Sequence, residues 1–172
     1  MSLERFRTAQ DSRHGGFETA LAELKAGRKR SHWIWYVFPQ LAGLGNSSPA
    51  RTYALRDLNE AVEYRCDPVL GPRLAAITDV VARQLASGVG LEHLMGSHID
   101  ALKLVSSLTL FELALQGTGA APPPYSDALA KSCASVLAAA EREGFPRCRF
   151  SLEQARPAGE TKEDGGTKGL KD

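Results

Sequence analysis

The chain has 172 residues, with 21 Lys+Arg against 20 Asp+Glu and 43% hydrophobic residues. This is the size of one domain with a real core, and near-neutral charge argues against a general nucleic-acid binder, which carries a strong basic excess. No run approaches the roughly 20 apolar residues of a membrane span, MSLERFRTAQ lacks the apolar stretch of a secretory signal, and Cys66, Cys133 and Cys148 show no C-x-x-C spacing, so a soluble protein of the reducing cytoplasm is expected, without disulfides or a zinc site.

The first periodic segment runs from Phe17 to Ala26. Phe17, Ala20, Leu21 and Leu24 fall at helical spacing, with Glu18, Glu23 and Lys25 between them, and Gly27 stops the helix. The next run, GRKRSHWIWYVFPQ from Gly27 to Gln40, holds both tryptophans of the chain, Trp33 and Trp35. Taken alone, WIWYVF has strand propensity. With Ser31 as an N-cap and no second strand nearby, it reads as a short buried helix. LAGLGNSSPA is a loop, and Ser48-Pro49 reads as an N-cap followed by the first helical residue. The pattern from Ala50 to Tyr64 breaks at Asp57, which with Glu60 makes a variant capping box.

Asp67-Pro68 ends that segment, and Leu70-Gly71-Pro72 leads into a helix with Leu74, Ile77, Val81 and Leu85 on one face, closed by Gly88 and Gly90. Ser97 caps a helix from His98 to Leu115 that is apolar on nearly every side, which belongs in the middle of a globular fold. Residues 117–124 form a loop. An Ala-rich helix follows from Asp127 to Glu143, ended by Gly144-Phe145-Pro146. The expected architecture is all-α: a compact multihelical single domain over residues 1–155 with a buried central helix. Residues 156–172 contain almost nothing apolar and are expected to be a disordered polar tail.

Two constellations carry chemistry. The first is the aromatic run, where Lys29, His32 and Gln40 accompany Trp33, Trp35 and Tyr36. Planar apolar faces beside fixed positive charge suit a flat, anionic ligand. Each group also has a plainer reading: Trp33 and Trp35 as core, His32 as a neutral core histidine, Lys29 as a solvated charge, Gln40 as a turn residue. The second is G-x-x-x-D-x-x-K-x-x-S-S from Gly96 to Ser107, in which Asp100 and Lys103 share a helix face and Ser107 lies one turn on. Charges in so apolar a helix must pair or face a polar cavity. They make either an internal brace or the wall of a ligand pocket.

Weaker anion signals come from G-L-G-N-S-S (43–48) leading into a helix start, with Ser48 at its end, and from Arg73 in PVLGPRL. There is no H-E-x-x-H, no G-x-S-x-G and no EF-hand loop, and His14, His32, His93 and His98 lack metal-ligand spacing. No metal and no cofactor is expected.

The residues also carry a resemblance. Phe6-x-x-Ala9-Gln10, Gly27-x-Lys29-x-Ser31-His32-Trp33-x-Trp35-x-x-Phe38-Pro39-Gln40, Gly43-Leu44-Gly45-x-x-Ser48 and Gly96-x-x-x-Asp100-x-x-Lys103-Leu104-x-Ser106-Ser107-x-Thr109-Leu110-Phe111 resemble the signature of the domain of unknown function 1810 family, most strongly over residues 3–115. The resemblance implies a small all-helical domain and no established activity. Some members carry a calpastatin label, but calpain inhibitors of that kind are extended chains and this one is compact. A looser similarity is to NADAR proteins, small helical domains that cleave or bind N-glycosides of ribose phosphates.

Three functions follow as expectations. The first is a small-molecule-binding protein or N-glycosidase-like hydrolase acting on a nucleotide or ribose-phosphate compound. In the hydrolase Asp100, Lys103 and His32 are catalytic, with Asp100 stabilising an oxocarbenium-like centre or activating water. Lys29, Trp33, Trp35, Gln40, Ser48, Arg73 and Ser107 bind the ligand. The second is a non-catalytic protein-interaction module docking an acidic partner at Arg28–Arg30. The third, a single-stranded nucleic-acid binder, fits the charge balance least. Oligomeric state is not legible.

Overall fold

Apolar periodicity and glycine stops set most of the helices seen in the computed structural model, which describes residues 2–117 and 121–155. Among them are α1 (Glu4–Gln10), α2 (Phe17–Lys25), α3 (Ile34–Val37), α4 (Ser48–Thr52), α5 (Leu58–Cys66), α6 (Leu70–Ala86), α7 (Leu91–Met95), α8 (His98–Gln116), α9 (Ser126–Arg142) and α10 (Arg149–Gln154). The described β pairing is one isolated bridge between Leu41 and Leu55. The fold is all-α, as expected. The tail expected over 156–172 lies outside the described residues.

The central helix is α8. The Ser97 hydroxyl accepts from the Asp100 N–H at 3.1 Å and so caps it. From Leu104 to Phe111 every residue is buried, because α8 packs against α3, α5, α7, α9 and α10 at once. Each large side chain removed from water there contributes about 1.5–3 kcal/mol. The Thr109 hydroxyl is satisfied within the helix by donating to the Val105 carbonyl at 2.7 Å. A second layer of the core is aromatic. Tyr64 of α5 meets Phe6 edge-on at 5.1 Å and Phe111 at 5.3 Å. Its hydroxyl accepts from buried Gln10 at 2.8 Å, which meets the polar demand of a fully buried tyrosine.

Several boundaries differ from the sequence reading. The WIWYVF helix is a single turn, Ile34–Val37, and Trp33 rather than Ser31 occupies its cap position. Ser31 is instead drawn to Glu23 by its own hydroxyl and N–H. Ser47, not Ser48, caps α4: its hydroxyl accepts from the Ala50 N–H at 3.3 Å. Asp57 does cap α5 through the Glu60 N–H at 2.8 Å, but Glu60 returns to the Arg56 N–H rather than to Asp57. Helices α1, α7 and α10 have five to seven residues each, too short to show a periodic stripe. The first turn of α8 is not enclosed. Ile99 is 65% and Leu102 45% exposed.

Candidate functional site

The site begins with the end of α2. Gly27 takes φ +89°, which turns the chain back, so that its N–H reaches the Leu24 carbonyl at 3.0 Å and the Arg28 N–H the Glu23 carbonyl at 3.1 Å. The Glu23 side chain then gathers the segment just beyond. It accepts from the N–H groups of Arg30 at 2.8 Å and Ser31 at 3.0 Å, from the Ser31 hydroxyl, and from the Trp33 indole at 2.8 Å. Burial alone raises a carboxyl pKa, but these donors outweigh it and hold Glu23 down at about 2.

So folded, the segment docks on the turn between α7 and α8. The Lys29 N–H donates to the Leu94 carbonyl at 2.7 Å. Gly96 sits at φ +79°, and a Cβ there would lie 2.9 Å from the Lys29 carbonyl oxygen. Only glycine permits both that backbone turn and that approach. The result carries the Lys29 side chain to the start of α8. Its ammonium meets Asp100 Oδ2 at 2.8 Å, donates to the Ser31 carbonyl at 2.5 Å and lies 5.1 Å from the Trp33 ring centroid.

The other carboxylate oxygen of Asp100 takes Lys103 at 3.1 Å, and the Lys103 ammonium lies 4.6 Å from the Trp35 ring centroid. One continuous arrangement therefore runs Trp33, Lys29, Asp100, Lys103, Trp35. Burial raises the Asp100 pKa, but the hydrogen bonds and charges of Lys29 and Lys103 outweigh that and leave the carboxyl below its ordinary value.

Beside this arrangement is a recess of about 490 Å³. Trp35, Gln40, Lys103 and Ser106 line it with the Leu44–Ser47 loop, Ala50, Ile99 and Leu102. Lys103 is the single formally charged residue among those described there. The Trp35 indole N–H is sealed from solvent and has no partner among the described residues. A second cleft of about 550 Å³ lies between α2 and α6. Its Asp79 and Arg83 pair with each other in solvent at 2.7 Å, and it has no comparable convergence of aromatic and cationic groups.

Among the sequence candidates, Lys29, Trp33, Asp100, Lys103 and Trp35 come together, and Gln40 joins them through the recess. The others lie apart from it. His32 has an exposed side chain, so the core-histidine reading fails. Ser48 is exposed, and its neighbour Ser47 lines the recess. Ser107 is fully buried with its hydroxyl unpartnered among the described residues, whereas Ser106 faces the recess. Arg73 binds Asp11 at 2.7 Å and Gln10 at 3.4 Å and lies over Phe17. Glu23 escaped the sequence reading because it sits among the polar positions of α2. Its one available signal was its place four residues before the glycine stop. No group of three or more His, Cys, Asp or Glu among the described residues is arranged to hold a metal, and none of the described helices is long and apolar enough to cross a membrane.

The fold and this arrangement define an all-α protein whose aromatic, cationic segment is clamped onto the head of a central helix. The family model described as "Protein of unknown function (DUF1810)" matches residues 1–140, and the chain belongs to that family. The match takes in every quoted motif and extends past Gly117 into α9. The crystal structure of the conserved hypothetical protein Rv1873 from Mycobacterium tuberculosis is similar at 38% identity, covering 88% of this chain and 94% of that one with a TM-score of 0.70. No curated protein matches. The looser likeness to NADAR proteins rests on the sequence reading alone.

Proposed function

We propose that this protein binds a small anionic molecule in the recess beside the first turns of α8. The observation that carries the reading is Lys103. It is held across Trp35 by Asp100 at 3.1 Å and is the one formal charge among the described residues of an otherwise largely apolar recess. Concave, mostly apolar sites with one placed charge are the usual form of small-molecule sites.

Binding is favoured over hydrolysis. A glycosidase-like role needs an Asp100 carboxylate free to take a proton or to face a developing cation. Both its oxygens already hold ammonium groups, and its pKa is depressed, so it is a weak base. The test is a thermal-shift and calorimetric screen of small anions, including AMP, ADP-ribose and carboxylates, on wild type and Lys103→Met. At least one anion is expected to stabilise wild type and not the variant. Failure of every anion to do so would end the reading. Chromatography for a released base checks hydrolysis in the same samples, and none is expected.

A protein-interaction module is the second reading. Exposed Ile99 and Leu102 at the rim favour it.

A further inference from the structure

We infer that the natural occupant of the recess is an amphipathic monocarboxylate, a single carboxylate on an apolar body, and not a phosphate compound. The inference rests on the proposed anion-binding role and specifies its ligand class.

Charge matching decides between the two. The cluster comprises Lys29, Asp100 and Lys103, so its formal sum is one positive charge (+1 −1 +1). Lys29 does not contribute directly: its side chain is 6% exposed, its donors serve Asp100 and Ser31, and it does not line the recess. The occupant thus meets one ammonium, already shared with Asp100. A phosphate monoester brings about −1.5 to −2 charges near neutral pH and three acceptor oxygens. Sites for such groups combine several donors, as arginine forks, a fan of backbone N–H groups, or a lysine added to such a fan. No arginine lines the recess among the described residues. At the start of the five-residue helix α4, Pro49 has no N–H and the Ala50 N–H is taken by the Ser47 hydroxyl, which leaves too few donors for such a fan. The excess negative charge of a phosphate would face Leu44, Ala50, Ile99 and Leu102 without a partner, which is unfavourable.

A carboxylate fits what is present. It has one charge for Lys103 and two oxygens. Gln40 and Asn46 also line the recess, and their side-chain amides can supply N–H donors to the second oxygen. The body of the ligand meets an aliphatic wall. Ile99 and Leu102 are 65% and 45% exposed, an arrangement that loses apolar surface to water until something covers it. The Lys103 ammonium already covers one face of the Trp35 ring at 4.6 Å, so a nucleobase cannot stack on that face without displacing it.

The experiment titrates the full chain near neutral pH with octanoate, phenylacetate, phenyl phosphate, phenylacetamide and AMP, by calorimetry and thermal shift. The two carboxylates are expected to bind. Phenyl phosphate and the neutral amide are each expected to be weaker than phenylacetate by about tenfold or more, roughly 1.4 kcal/mol. Lys103→Met is expected to lose carboxylate binding by a similar factor. It keeps its fold because Asp100 retains Lys29, which a melting curve checks. Ile99→Glu is a second variant, at an exposed position where folding is not at stake. It adds negative charge and removes apolar area at the rim, and it is also expected to weaken the carboxylates.

Tighter binding of phenyl phosphate or AMP than of the carboxylates overturns the monocarboxylate inference and leaves the anion site standing. Equal binding of phenylacetamide overturns the role of charge. Carboxylate binding unchanged in both variants moves the site elsewhere and overturns the inference. Absence of binding by every anion removes the proposed function with it.

Discussion

Lys29 Nζ and Asp100 Oδ2 meet at 2.8 Å, joining the chain just after α2 to the first turn of α8. The Lys29 side chain is 6% exposed and that of Asp100 17%, so the pair is nearly out of water. Lys103, at 3.1 Å from the other oxygen, is 22% exposed and can rehydrate. The two lysines therefore hold the same carboxylate on unequal terms, and mutation separates them.

Asp100→Asn leaves the Lys29 ammonium buried without its counter-charge and is expected to destabilise by about 3–5 kcal/mol. Lys103→Met removes the more hydrated partner and is expected to change stability by less than about 1 kcal/mol. Replacing Lys29 by Met together with Asp100 by Leu removes both buried charges and is expected to recover most of the loss. Urea denaturation midpoints for the three proteins check the order. Equal costs for Asp100→Asn and Lys103→Met would contradict the asymmetric burial.

Two glycines with left-handed backbones give a second contrast. Gly27, at φ +89°, has nothing within 4 Å of where a Cβ would stand, whereas the Cβ of an alanine at 96 would lie 2.9 Å from the Lys29 carbonyl. Gly27→Ala is expected to cost only the left-handed conformation, about 1–2 kcal/mol. Gly96→Ala adds displacement of the Lys29 backbone and is expected to cost about 3 kcal/mol or more. It also moves Lys29 away from Asp100, so the cost of Asp100→Asn is expected to shrink in its background. A double-mutant cycle by thermal or urea unfolding measures that coupling.

These contrasts show what the sequence can and cannot convey. The all-α class, the central helix, the Ser97 and Asp57 caps and the Gly27 stop were legible, because periodicity and capping act within a few residues. The pairing of Asp100 with Lys103 was legible for the same reason, since three residues on a helix share a face. Lys29 at Asp100 was not, because it depends on a long-range turn at Gly96. The Ser47 cap was missed by one position because Ser47 and Ser48 are chemically alike and only geometry chooses between them. Ile99 and Leu102 looked like core because hydropathy does not report where a helix end leaves the bundle.

Glu23 makes a pH-dependent contribution. Its pKa falls from the ordinary 4.5 to about 2 in the folded protein. Burial works against that fall, and the donors from Ser31, Arg30 and Trp33 cause it. A depressed carboxyl stabilises the fold fully above its unfolded pKa and loses that contribution as pH drops through the folded value. The window here runs from about 4.5 down to about 2. Glu23→Gln puts an amide among four donors and is expected to cost about 1–3 kcal/mol near neutral pH. The difference from wild type is expected to narrow below pH 4.5 and to vanish towards pH 2. Urea curves at a series of pH values test the sign. A difference constant down to pH 2 would mean that the charge on Glu23 plays no part.

The cysteines differ for physical reasons that labelling can read. Cys133 of α9 is fully buried, and burial pushes its thiol up to about 12, with Glu112 adding to the rise. Cys148, just before α10, is half-buried. Burial raises its pKa, but the Ser106 and Ser151 hydroxyls and the N–H groups of Ser151 and Phe150 outweigh that and hold it below the ordinary thiol value. The thiolate is the reactive form, so iodoacetamide near neutral pH is expected to modify Cys148 well before Cys133 in the native protein, and both alike in denaturant. Because Ser106 lies beside Cys148 and also lines the recess, a ligand seated there is expected to change the Cys148 labelling rate and leave Cys133 unaffected. Mass spectrometry of timed samples, with and without octanoate, measures each rate. Faster labelling of Cys133 than of Cys148 would contradict the burial of α9 against α8.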